Sequence, residues 1–148
     1  MLYFAYGMNT NVAQMAHRCP DAVSLGVAEL PGYDLVFRGC ADIRPNSDSA
    51  TMEGVLWDIT DFCLAALDVL EGYPTYYTRY EVPVFHNDEW KSALVYKMNT
   101  GDIFPPTAGY LRMLFEGYTA HSVNLQQLYR AVDEAETSYI ADEYYQYL

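Results

Sequence analysis

Positive charge is what this chain has least of. Eight lysines and arginines stand against twenty aspartates and glutamates in 148 residues, a formal net charge of -12. A surface of that sign repels a phosphate backbone, so nucleic acid is excluded as an expected partner. Long apolar runs are missing as well. No stretch approaches the roughly 18–20 residues a membrane-spanning helix needs, and residues 1–10 lack the basic start and apolar length of a secretory signal. The expectation is a soluble, cytoplasmic protein with no membrane partner. Cysteine is sparse: Cys19, Cys40 and Cys63 are odd in number and widely spaced, without a Cys-x-x-Cys pair. Neither a disulfide framework nor a zinc site is indicated, and the three are expected as free thiols.

What is present is apolar material, 51% of residues with fifteen tyrosines among them. A chain of this size can bury roughly two thirds of its unfolded surface, and no repeat or linker divides it, so one domain over 1–148 is expected. The opening Leu2-Tyr3-Phe4-Ala5-Tyr6 reads as a buried strand that stops at Gly7. Asn9, Thr10 and Asn11 are capable helix caps, and Val12, Met15, Ala16 and Cys19 recur at helical spacing until Pro20. Strand-like stretches follow at 23–30, 33–38 and 53–59, separated by Pro31-Gly32 and by a polar loop over residues 44–49. Thr60 or Asp61 caps a short helix from Phe62 to Glu71, closed by Gly72 and kept from resuming by Pro74. Strands at 76–85 and 90–98 flank the polar His86-Asn87-Asp88-Glu89, a hairpin connection. After Pro105-Pro106 the pattern is helical, with Tyr110, Leu111, Leu114, Phe115 and Tyr118 on one stripe and Leu125, Leu128, Tyr129 and Val132 on another.

Glu71 is the most informative residue. Leu64 and Leu67 lie seven and four positions earlier, so Glu71 shares their inward face. Burial and the negative end of the helix dipole both disfavour a charged carboxylate there, which raises its pKa and fits it to act as a general base. The same spacing fits a partly exposed glutamate in a fraying last turn. Asp68, one turn earlier, either raises the Glu71 pKa by like-charge repulsion or is simply exposed.

The turn Tyr6-Gly7-Met8-Asn9 hands a strand over to a helix and leaves backbone N–H groups unpaired. With one glycine and no phosphate fingerprint it suits a small carboxylate better than a nucleotide. Residues 1–20 contain no acid and one arginine, Arg18, so the locally non-acidic stretch coincides with this loop. A plain strand-to-helix turn accounts for the pattern equally.

Other residues offer less. His17 and Cys19 are two apart on a helix and do not face each other, so a Cys/His nucleophile is disfavoured. His86 and His121 have no ligand spacing and read as solvated loop residues. Tyr139, Tyr144, Tyr145 and Tyr147 read as packing or partner contacts. Asp133, Glu134, Glu136, Asp142 and Glu143 form a charge run that is ordinarily a solvated face, and that keeps a non-enzymatic acidic interaction protein open as an alternative function.

Three blocks together resemble one family. Tyr3-Phe4-Ala5-Tyr6-Gly7-Met8-Asn9 is similar to the YFAYGSN signature of the γ-glutamyl cyclotransferase family, which includes the AIG2-like proteins. Leu67-Asp68-Val69-Leu70-Glu71-Gly72, with Tyr77 and its strand, resembles the family's LDxxEG segment, and Pro105-Pro106 with Tyr110 and Gly117 resembles its third block. The blocks keep the family's order over roughly residues 1–130. Met8 departs from the serine that many members carry.

The resemblance implies an α+β fold, a small mixed β-barrel with surrounding helices. It also implies cyclisation of a γ-glutamyl amine or peptide to 5-oxoproline and a free amine, or action of the same fold on another γ-glutamyl compound. Glu71 matches the family's catalytic acid/base. Gly7, Met8 and Asn9 would anchor the substrate α-carboxylate, and Tyr6, Tyr77 and Tyr110 would shape the pocket. The small-molecule substrate is the expected partner, and no metal, nucleotide or other cofactor is expected.

Overall fold

Strand β1 (Leu2–Ala5) lies at the seam of a closed five-stranded barrel in the order β1-β5-β2-β6-β7. This computed structural model describes residues 1–47 and 50–145. Asp48 and Ser49 of the polar loop, Tyr147, and the side chain of Tyr145 lie outside the described residues.

Strands β2 (Val23–Pro31), β5 (Thr51–Asp58), β6 (Tyr77–His86) and β7 (Glu89–Met98) complete the barrel. All pairings are antiparallel except the closing one, where β1 meets β7 in parallel at Tyr3 and Leu94. Phe4 stands opposite Leu56 and Ala5 opposite Val55; consecutive residues point to opposite faces, and all four are buried along with Leu30, Val84 and Val95, so both faces of these strands are covered. The β6–β7 turn is tighter than the four-residue connection expected. Only Asn87 and Asp88 turn, at φ 50° and 63°, the mirror-image geometry that matches the twist of a hairpin and that Asn and Asp tolerate.

A separate ribbon, β3 (Tyr33–Arg38) and β4 (Cys40–Pro45), stands beside the barrel. Strand β4 runs through Arg44 and Pro45, where the sequence leads one to expect the start of a polar loop. The Arg44 guanidinium grips Asp34 at 2.9 and 3.1 Å and Glu134 at 2.8 and 3.0 Å, so a charge that reads as loop is a strand residue tying the ribbon to the last helix. The helices are α1 (Val12–Arg18), α2 (Asp61–Glu71), α3 (Ala108–His121) and α4 (Leu125–Tyr145), with a 3-10 turn at Met8–Thr10. Tyr118 and Leu114 of α3 and Leu128 of α4 are buried, in keeping with their stripes. Tyr139 of α4 packs edge-on against Phe104 with ring centroids 5.5 Å apart. Among the described residues no helix is long and apolar enough to cross a membrane.

Three expectations are overturned. Cys19 and Cys63 are joined as a disulfide, their Cα atoms 5.2 Å apart, because α1 packs on α2; their 44-residue separation in sequence carries no hint of this. Cys40 alone is a free thiol. His86 is buried at the end of β6, where Nε2 donates to the Leu25 carbonyl at 2.7 Å and Nδ1 faces the Lys91 ammonium, also at 2.7 Å. His121 belongs to the last turn of α3 and sets its ring edge-on to Trp57 at 5.7 Å.

Candidate active site

Helix α2 is built to end at Glu71. The Thr60 hydroxyl accepts from the Cys63 N–H at 3.1 Å at one end. At the other, Gly72 adopts φ 64° and ψ 38°, while the Tyr73 N–H bonds to the Asp68 carbonyl at 2.9 Å. Buried Leu67 and partly buried Leu64 fix the rotation of the helix, so the Glu71 side chain enters a cavity of about 220 Å³.

That cavity collects parts from seven places in the chain. Tyr6, Gly7, Met8 and Asn9 come from the end of β1 and its turn, Glu71 from α2, Tyr77 from β6 and Tyr110 from α3. All seven residues expected from the sequence therefore line one space. The structure adds Tyr3, Arg18, Cys40, Ala41, Leu70 and Tyr96. Arg18 had a visible signal, as the single cation near the first turn. Cys40 and Ala41 carry none, because nothing local to residues 40–43 marks β4 as a strand.

The Glu71 carboxyl makes no hydrogen bond or ion pair with any described residue. Burial pushes its pKa up to about 7, and the nearby Arg18 guanidinium pulls the other way. Asp68 has no part in this. It is neither a repelling neighbour nor a free surface acid, since Arg79 holds it through two nitrogens at 2.8 and 3.2 Å and the Tyr96 hydroxyl donates to it at 2.6 Å.

The tyrosines form rigid, uncharged walls. Tyr77 donates to the Ala41 carbonyl at 3.1 Å and Tyr110 accepts from the Ala41 N–H at 3.0 Å, clamping β4 against the site. Tyr6 donates to the Tyr96 carbonyl at 2.6 Å. Burial raises the pKa of Tyr3, Tyr6, Tyr77 and Tyr110, and the Glu71 charge raises each further, so they remain protonated beside it.

Asn9 is buried and its side chain is fully engaged, donating to the Tyr3 hydroxyl at 3.0 Å and accepting from Arg18 at 2.6 Å. Its carbonyl accepts from the Trp57 indole at 3.0 Å. The carbonyls of Gly7 and Met8 accept from the N–H groups of Thr10 and Asn11 at 3.1 and 3.0 Å. By contrast, the N–H groups of Gly7, Met8 and Asn9 bond to no described residue. They are the donors this turn keeps open.

A carboxyl of raised pKa, facing open backbone donors across a tyrosine-walled cavity, sits on a scaffold whose sequence matches one family over residues 3–119, the gamma-glutamyl cyclotransferase, AIG2-like family. The chain belongs to that family. Its membership assigns a gamma-glutamyl cyclotransferase-like function. A solved gamma-glutamyl cyclotransferase superposes with a TM-score of 0.80 at 24% identity, covering 88% of this chain and 85% of that one. The human protein loc79017 superposes with a TM-score of 0.79 at 25% identity and the same coverage. A yeast gamma-glutamyl cyclotransferase specific to glutathione shares the fold at a TM-score of 0.61 and 13% identity, covering 91% of this chain and 96% of its own. No curated protein sequence matches the chain. The family fold is the α+β barrel with surrounding helices described above.

Proposed function

We propose that this family member cyclises a γ-glutamyl amine or peptide, releasing 5-oxoproline and the free amine, with Glu71 as the general acid/base. The observation that carries the reading is the Glu71 carboxyl itself, which meets no hydrogen-bond partner among the described residues and whose pKa burial in the cavity pushes up to about 7. The substrate's α-amine is an ammonium near neutral pH and cannot attack until it loses a proton. A carboxylate of matched pKa accepts that proton. The freed nitrogen attacks the γ-carbonyl carbon of the same molecule, and the bond from that carbon to the leaving nitrogen breaks. Glu71 then returns the proton to the leaving amine.

Both reacting groups belong to one molecule, so the protein's task is to hold the glutamyl chain folded toward a five-membered ring. Such positioning can be worth several kcal/mol. The open N–H groups of Gly7, Met8 and Asn9 suit the α-carboxylate, with Arg18 supplying the positive charge of this wall. The neutral phenols of Tyr6, Tyr77 and Tyr110 form the rest of the enclosure.

The test is product identity across a panel of γ-glutamyl amides with wild-type and Glu71→Gln protein. Wild type is expected to release 5-oxoproline, and the glutamine variant, which cannot accept the proton, to lose at least about 100-fold in turnover while remaining folded. Free glutamate in place of 5-oxoproline would mean attack by water, and the cyclisation reading would be abandoned. A folded Glu71→Gln protein with near-normal rates would remove Glu71 from the mechanism.

A further inference from the structure

Glu71 does not face one cavity only. A second space of about 430 Å³ adjoins the first, and the two share Glu71, Leu70, Tyr77 and Cys40 as common walls. Beyond those shared residues its sides are Val69, Tyr76 and Met98, with Gly72, Thr75 and Thr100 completing it. Val69 is 84% exposed and Tyr76 71%, so the mouth of this cavity presents apolar side chains to solvent.

We propose that this second cavity is the leaving-amine subsite and that it selects uncharged, apolar amines over amines that carry a carboxylate. The proposal rests on the cyclisation reading above. An acid that hands its proton to the leaving nitrogen must touch that nitrogen, so the leaving group has to lie in a space that Glu71 lines. The glutamyl portion, with its α-carboxylate, belongs with Arg18 and the open N–H groups of the first cavity. The adjoining cavity is the one left for the amine.

Its chemistry then sets the class of amine. Glu71 is the one ionisable acid or base among its walls apart from the Cys40 thiol and the phenols of Tyr76 and Tyr77, so no cation there can pair with a carboxylate. Two cations on its Met98 side, Arg38 and Lys97, are engaged with other groups. Arg38 holds buried Asp42 at 2.9 Å and the Gly101 carbonyl at 2.8 Å, and Lys97 lies 3.8 Å from the same Asp42. A leaving group bearing a carboxylate would find no counter-charge among these walls and would sit beside the Glu71 charge. An alkyl or aromatic amine would exchange water for Val69, Leu70, Tyr76 and Met98.

A matched pair of substrates isolates that difference: γ-glutamyl-2-phenylethylamide and γ-glutamylphenylalanine, which differ by one carboxylate on the leaving amine. The measurement is kcat/KM for 5-oxoproline release from each, in wild type and in Thr100→Lys. Thr100 is exposed at the cavity rim, where a lysine adds the missing cation without disturbing the core. Wild type is expected to favour the phenylethylamide by at least about tenfold, and Thr100→Lys to narrow that ratio by raising kcat/KM for the phenylalanine conjugate. Equal or better use of the phenylalanine conjugate by wild type leaves cyclisation standing and overturns the subsite's selectivity. An unchanged ratio in Thr100→Lys overturns the placement of the amine in this cavity. If neither compound gives 5-oxoproline, the cyclisation reading falls and the subsite with it.

Discussion

Asp68 and Glu71 are one helical turn apart on α2, yet their carboxyls are held in opposite circumstances. Asp68 is bound by the Arg79 guanidinium and the Tyr96 hydroxyl, whereas the Glu71 carboxyl meets no described partner and is raised by burial to a pKa of about 7. One helix thus carries a structural acid on the side facing β6 and β7 and an unpaired acid at its last residue. The difference arises from what each side chain meets across the fold.

The unpaired acid should lower stability in a pH-dependent way. Glu71 titrates near 7 when folded and at about 4.5 when unfolded, so between these values the folded state binds more protons than the unfolded state. Stability therefore falls as pH rises from about 4.5 through 7 and levels off above. Glu71→Gln removes the titration. Thermal melts at pH 5 and pH 8 should show the variant gaining on wild type at the higher pH, by on the order of 1–3 kcal/mol. A gap that does not widen with pH would mean that Glu71 is solvated in the folded protein.

Asp68→Asn should have the complementary effect. It keeps the side-chain shape but gives up the charge that holds Arg79 and accepts from Tyr96, at a cost of about 1–2 kcal/mol in denaturant unfolding. The acidic limb of kcat/KM should stay in place, since burial and Arg18, and not Asp68, set the Glu71 pKa. A limb displaced to lower pH in Asp68→Asn would restore like-charge repulsion as a cause.

Gly7 is fixed by space. A Cβ there would stand 3.1 Å from the Ala41 Cβ and 3.2 Å from the Tyr110 hydroxyl, which itself accepts from the Ala41 N–H. Gly7→Val would push Tyr110 and the β4 wall outward, and kcat/KM is expected to fall about 10–100-fold, chiefly through KM. Met8→Ser leaves the backbone donor in place and should stay within about threefold of wild type. Equal losses from both changes would assign the contact to the Met8 side chain instead.

Most of this site was legible in the sequence because its parts are local. The spacing of Leu64, Leu67 and Glu71, the stop at Gly72 and the strand that ends on Gly7 each depend on neighbours within one element. The missing parts depend on distant partners. Strand β4 carries a buried aspartate, Asp42, and is possible because Arg38 and the Met98 N–H, 56 residues away, each bind that carboxylate at 2.9 Å. The Cys19–Cys63 disulfide and the Trp57 face that receives His121 are likewise products of helix packing. No local pattern announces them.

Arg18 is the residue through which charge at the site can be tested most directly. Its guanidinium lines the cavity, bonds to the Asn9 side chain at 2.6 Å, and is the one influence that lowers the Glu71 pKa. Arg18→Met removes a cation that favours the carboxylate, so the Glu71 pKa should rise and the acidic limb of kcat/KM should move to higher pH. On the proposed placement of the substrate carboxylate its positive partner is lost as well, and kcat/KM at pH 7 should drop at least about tenfold, mainly in KM. Arg18→Lys keeps the charge and should return the limb toward its wild-type position even if binding recovers only in part. A purely structural role in holding Asn9 would lower activity at every pH and leave the limb where it was. The pH profile, more than the rate, therefore decides whether Arg18 acts on the electrostatics of Glu71.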